Sequence, residues 1–114
     1  PMDLYTVNEL VKGTICQDCG TSQDFIHAFA SDLMSDVLRF NMERTILITG
    51  LSTVQTLRTA EMSNIECIIF ARGKKVTDEM ISLAAENNIS LITTPLTLFE
   101  VSGRLYGNGI KPIF

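Results

Sequence analysis

The stretch that most constrains the fold runs from Ile65 to Thr94, IECIIFARGKKVTDEMISLAAENNISLITT. A continuous apolar run (Ile65, Cys67 to Phe70) leads into a short basic turn, Ala71-Arg72-Gly73-Lys74-Lys75. Residues at helical spacing follow (Met80, Ile81, Ala84), and then a second apolar run from Ile89 to Ile92. A strand that is apolar at nearly every position is normally covered on both faces, and parallel strands joined by a helix achieve this. The stretch therefore reads as a βαβ unit with a right-handed crossover.

The flanking sequence repeats the theme. Thr45 to Thr49 reads as a strand followed at once by Gly50-Leu51-Ser52-Thr53, where Ser52 or Thr53 caps a helix that carries Val54, Leu57 and Met62 inward and ends near Asn64. After the central unit, Thr93-Thr94-Pro95 punctuates, and Leu98, Val101 and Leu105 mark a last helix ending at Gly107. Upstream, Thr6 to Lys12 reads as a short helix, with Thr6 and Glu9 forming a capping box and Gly13 as the stop. Thr14 to Cys16 starts a strand, and residues 17–24 form a loop rich in turn residues. Phe25 to Ala30 favours a strand, although Phe25, Phe29 and Leu33 also fall at helical spacing. Ser31-Asp32 then cap a helix to about Phe40, with Leu33, Met34, Val37 and Leu38 as its apolar face. The tail after Gly107 reads as irregular, its Ile110, Ile113 and Phe114 lying on the body or on a partner. The sum is an α/β domain, a mostly parallel sheet of about five strands with helices on its faces.

A length of 114 residues suits a single domain, 1–114, and 46% hydrophobic residues suffice to fill its core. The net charge of −4 provides no overall field that would collect nucleic acid or an anionic membrane. No apolar run approaches the roughly 20 residues needed to span a bilayer, and the N-terminus lacks a secretory pattern, so a cytoplasmic location is expected. Pro1, ahead of Met2, is left out of the fold reading. Three cysteines make no disulfide framework and fit a reducing compartment.

In open α/β sheets ligands gather where strands end and helices begin. Three such turns occur in succession here. Thr49-Gly50-Leu51-Ser52-Thr53 offers hydroxyls and a flexible glycine, Ala71-Arg72-Gly73-Lys74-Lys75 offers three cations, and Thr93-Thr94-Pro95 offers two hydroxyls. On neighbouring parallel strands these turns share one edge, where helix N-termini present unpaired N–H groups to an anion. The expected ligand residues are Thr49, Gly50, Ser52, Arg72, Gly73, Lys74, Thr93 and Thr94. The alternative is that the hydroxyls only cap helices and the lysines are solvated. Neither the P-loop nor the dinucleotide glycine pattern is present.

Cys16-Gln17-Asp18-Cys19 is a lone C-x-x-C. Structural zinc wants four ligands, which only a homodimer would supply from this pair, so no metal site is assigned. His27, the single histidine, reads as a half-buried strand residue. Asp32 and Asp36, four apart, read as capping or solvated carboxylates on one helix face. No catalytic constellation emerges, and neither an enzyme activity nor a cofactor is expected.

From Ile65 to Leu105 the order of features resembles the DRTGG domain, which is similar to the N-terminal domain of HPr kinase/phosphorylases. The features are the apolar strand, Ala71-Arg72-Gly73, the helix with Ala84, Ile89-Ser90-Leu91-Ile92-Thr93, and Leu98-Phe99-Glu100-Val101 leading to Arg104-Leu105. FASDLMSDVL, Phe29 to Leu38, resembles small stand-alone members of that family. Gly50-Leu51-Ser52 stands where the family has Gly-Asp-Arg, and Ala71-Arg72-Gly73 where it has Thr-Gly-Gly. The resemblance implies an α/β regulatory domain, often oligomeric, without the kinases' catalytic P-loop. Two functions follow as expectations: a non-catalytic regulatory module that binds a small anionic or nucleotide-like ligand at the strand ends, or an oligomerisation or protein-interaction module. A homodimer is the expected assembly, with no nucleic acid or membrane as partner.

Overall fold

Thr45–Thr49 and Cys67–Phe70 are buried at every position, as strands covered on both faces must be. The computed structural model describes residues 2–20 and 23–114. Its elements in chain order are α1 (Leu4–Leu10), β1 (Thr14–Gln17), β2 (His27–Ala30), α2 (Met34–Val37), β3 (Thr45–Thr49), α3 (Val54–Met62), β4 (Cys67–Phe70), α4 (Asp78–Glu86), β5 (Ser90–Thr93), α5 (Leu98–Gly107) and β6 (Lys111–Pro112). The sheet order is β1-β5-β4-β3-β2-β6. Strands β2 to β5 are parallel neighbours, as is β6 to β2, and β1 alone runs antiparallel, against β5.

Period-2 alternation divides the strands between two cores. Ile46, Ile48, Cys67, Ile69 and Ile92 face α1 and α5, meeting Leu4, Val7, Val101 and Leu105. Leu47, Ile68, Phe70 and Leu91 face the other way, against Val37, Leu57, Ala60, Met80 and Ala84 of α2, α3 and α4. The result is a three-layer α/β/α domain with its parallel strands at the centre, the fold class expected from the sequence.

Several local expectations are corrected. Helix α1 begins earlier than Thr6, because Asp3 caps it by accepting from the Thr6 amide. Its stop is Lys12, which takes the left-handed conformation (φ 53°), rather than Gly13. The helix expected from Ser31-Asp32 to Phe40 is a single turn, Met34–Val37, with Leu33 at an N-cap that no side chain satisfies. Leu33 and Leu38 are exposed, so only Met34 and Val37 of the expected face reach the core. Asp32 lies ahead of this turn and shares no helix face with Asp36. Met62 is 71% exposed, because Thr56, Leu57 and Ala60 set the buried face of α3 and place Met62 opposite. The tail is not irregular: it forms a sixth strand, β6, whose Pro112 is tolerated at an outer edge. Phe114 stacks on Phe40, with ring centroids 5.0 Å apart. Of the expected 17–24 loop, Thr21 and Ser22 lie outside the described residues.

Candidate anion site at the carboxyl edge of the sheet

Because β3, β4 and β5 are adjacent and parallel, the turns after them lie side by side along one edge. Strand β2 runs the same way beside β3, which brings a fourth turn, Ser31-Asp32, to that edge. The hydrogen-bond ladder continues past the strand ends. The amides of Ser31, Ala71 and Thr94 donate to the carbonyls of Ile48, Thr49 and Phe70 at 3.0, 2.9 and 3.0 Å.

Asp32 is the focus of the edge. Its Oδ1 accepts from the Gly50 amide at 2.6 Å and from the Thr49 hydroxyl at 2.9 Å. Its Oδ2 lies 3.4 Å from Arg72 Nη1. The Gly50 N–H bond, with the Thr49 hydroxyl and the Arg72 guanidinium behind it, holds the Asp32 carboxyl below the usual carboxylate range, against the opposing effect of burial. Thr49 Oγ1 also accepts from the Leu51 amide at 3.1 Å, which fixes its rotamer.

Arg72 is positioned by its backbone. Arg72 and Gly73 are consecutive left-handed residues, φ 64° and 69°. For an arginine this costs roughly 1–2 kcal/mol. Two bonds from the β4–α4 turn to the β5–α5 turn offset the strain, from the Arg72 amide to the Leu96 carbonyl at 2.8 Å and from the Gly73 amide to the Thr94 carbonyl at 2.9 Å. The guanidinium then lies across Gly50, where an added Cβ would stand 2.1 Å from Nη2.

The remaining expected ligand residues are placed differently. Lys74 is exposed beside Arg72, as is Lys75, and no described carboxylate pairs with either. The Ser52 hydroxyl donates to the Lys75 carbonyl and so ties two turns together. Thr93 Oγ1 sits 3.7 Å from Cys16 Sγ, on the side of β1. Thr94 is buried, and its hydroxyl donates to the Val11 carbonyl at 2.6 Å while accepting from the Leu96 amide at 3.2 Å. Thr49, Gly50 and Arg72 thus converge on one point, whereas Ser52, Thr93 and Thr94 brace the turns.

Sequence reasoning missed Asp32 as a member of this group by reading it as a helix cap. The available signal was its position: Ser31-Asp32 follows β2 as the other turns follow β3 to β5. Helix N-termini contribute less than expected. Thr53, Thr77 and Thr97 each accept from an amide of the helix they precede, and Asp78, Glu79 and Glu100 already place negative charge in the first turns of α4 and α5.

Other candidates lie away from the edge. His27 begins β2 at the opposite end of the strands, with Nδ1 3.1 Å from the Pro112 carbonyl. The Cys19 amide donates to Ser90 Oγ at 3.3 Å, and Cys16 lies where the β1 register shifts against β5. Among the described residues no three His, Cys, Asp or Glu side chains group as metal ligands. Burial pushes the Cys67 thiol strongly up, leaving it inert in the core. A cleft of ≈ 490 Å³ opens at the amino ends of the strands, but Glu43, Glu61 and Glu66 line it and oppose an anion.

The family model described as the HPr serine kinase N terminus matches residues 49–107, a span that starts at Thr49 and includes the last three βα turns. Among solved structures, the fold is similar to the crystal structure of the CBS and DRTGG domains of the regulatory region of Clostridium perfringens pyrophosphatase, complexed with its activator diadenosine tetraphosphate. The TM-score is 0.74 at 19% identity, over 90% of this chain and 45% of that one. The chain therefore spans less than half the length of that structure. No curated protein matches it by sequence. No helix among the described residues is long and apolar enough to cross a membrane.

Proposed function

The chain belongs to the HPr serine kinase N-terminus family, and from that membership we propose that it is a non-catalytic regulatory module receiving a small anionic, nucleotide-like ligand at the carboxyl edge of its sheet. One observation carries the reading: the Gly50 amide, the Thr49 hydroxyl and the Arg72 guanidinium already converge on a negatively charged group. Backbone amide, hydroxyl and guanidinium together are the donors that phosphate recognition uses. Lys74 and Lys75 extend the positive surface outward, where a second phosphate would lie. The activator bound by the pyrophosphatase regulatory region, diadenosine tetraphosphate, is a ligand of this chemical class. The Thr49 hydroxyl, bonded to the Asp32 carboxylate, is read as a binding donor, and the reading assigns no chemical step to the edge.

Thermal unfolding with and without diadenosine tetraphosphate tests the proposal. At a ligand concentration of about 100 times Kd the wild type should gain about 2.7 kcal/mol. Arg72→Ala combined with Lys74→Ala should abolish that gain, and a gain of equal size in the double variant would refute the site.

Oligomerisation is the second reading. Phe99 and Tyr106 lie seven residues apart on one face of α5 and are 88% and 71% exposed. A second copy packing on this face would bury both, and native mass spectrometry of Phe99→Glu would then report monomer where the wild type reports dimer.

A further inference from the structure

The local sequence and the tertiary structure use Asp32 for different tasks. Ser31-Asp32 followed by Leu33-Met34-Ser35-Asp36-Val37-Leu38 is a capped-helix pattern, in which Asp32 would accept amides of the following helix. In the structure its carboxylate is instead drawn to Gly50, Thr49 and Arg72. Helix α2 has an N-cap that no side chain satisfies and is a single turn. Only the Ser31 hydroxyl helps locally, accepting from the Leu33 amide at 3.0 Å. Disagreement between local preference and tertiary use is expected at functional sites.

Asp32 and an incoming anion would need the same donors. The Gly50 amide has one proton, and Asp32 Oδ1 accepts it. A second negative group on the same donors would also meet like-charge repulsion from the carboxylate, so the two compete for one position. We propose that Asp32 is a two-position switch: a phosphate-bearing ligand displaces its carboxylate from the Gly50–Thr49–Arg72 position, and the released carboxylate caps and lengthens α2. This rests on the anion-site reading and adds to it a competitor and an output. The output is a helix on the face opposite α5, flanked by the exposed Leu33 and Leu38. Phe40, just beyond α2, packs on Phe29 and Phe114, which limits how far the helix can extend.

Calorimetric binding of inorganic pyrophosphate to the wild type, Asp32→Asn and Arg72→Gln tests the switch. Asparagine keeps an acceptor for Gly50 and Thr49 but removes the competing charge. Asp32→Asn should bind pyrophosphate at least about tenfold more tightly than the wild type, a difference of about 1.4 kcal/mol, and Arg72→Gln should lose binding. Equal affinity in wild type and Asp32→Asn, with loss in Arg72→Gln, would overturn the switch and leave the anion site standing. Absence of binding to wild type and Asp32→Asn alike, or binding indifferent to Arg72→Gln, would overturn both. Should Asp32→Asn fail to fold, carbon NMR of the wild type serves instead. Pyrophosphate should move the Asp32 side-chain carboxyl resonance together with the Met34 and Ser35 amides. A shifted Gly50 amide with an unmoved Asp32 carboxyl would refute displacement.

Discussion

Gly50 is required by Arg72 rather than by its own backbone. A methyl group there would displace the guanidinium and separate it from Asp32 while leaving the Gly50 amide in place. Gly50→Ala should therefore change stability by less than about 1 kcal/mol, since the pair is largely solvent-exposed, yet reproduce the ligand loss of Arg72→Ala. Combining the two should cost little more than either alone, because both remove the same contact. Asp32 should also leave a mark on acid unfolding. Its folded-state pKa is depressed from the ordinary 3.8, first by the Gly50 amide, so the stability it contributes is present above the unfolded value and is lost as pH falls through the folded one. The stability difference between wild type and Asp32→Asn should then shrink as pH falls from about 5 towards 2, measured by urea unfolding at each pH. The positions of Thr49, Gly50 and Arg72 in the fold were legible because Thr49 ends an unmistakable apolar strand and Gly50 and Arg72 come just after one. Asp32 was less so: its place in the turn after a strand is a signal only once β2 is known to lie parallel beside β3, which Phe29 to Leu38 alone does not reveal.

The elements that sequence reading placed correctly are the ones that repeat their signals. Strands β3, β4 and β5 are each followed by a threonine cap and a helix of nine or ten residues, so alternation, cap and helical period agree. The same caps give a direct test of helix energetics. Thr77 accepts from the Met80 amide at 3.2 Å, and Thr77→Ala should cost about 1 kcal/mol, seen as a lowered urea midpoint at unchanged slope. Legibility failed where an element is too short to show a period. The single turn α2 and the two residues of β6 offer no repeat, and α1 hides its cap at Asp3 behind a more conspicuous Thr6-to-Glu9 pattern. Strand β6 is defined by its pairing with β2, where the Lys111 amide donates to the Ile26 carbonyl at 2.9 Å, a long-range contact that no local rule encodes. Met62 failed for a related reason: the four buried residues Thr56, Leu57, Thr59 and Ala60 outvote one large apolar side chain in setting the phase of α3.

At the scale of the whole molecule, the fold class followed from the fact that Thr45–Thr49 and Cys67–Phe70 have no polar face, which requires helices on both sides of the sheet. What the sequence could not convey was which edge each outer strand takes, because β1 and β6 are edge strands with mixed burial and little length. The charge distribution follows the same axis as the strands. Arg72, Lys74 and Lys75 gather in one turn at their carboxyl ends, among the acidic first turns of α4 and α5, while glutamates line the cleft at their amino ends, so the cations of this chain of net charge −4 form a local cluster rather than a general field. The carboxyl edge is not a set of floppy loops, because the ladder bonds of Ser31, Ala71 and Thr94 tie its turns to the strands. In deuterated water these three amides should keep their protons as long as neighbours inside the sheet do, while Lys74 and Lys75 exchange at once. On the proposed reading, a ligand would then meet β3, β4 and β5 turns whose backbone is already set, and the ordering left for it to bring about lies in the side chains at that edge and in the short segment after Asp32.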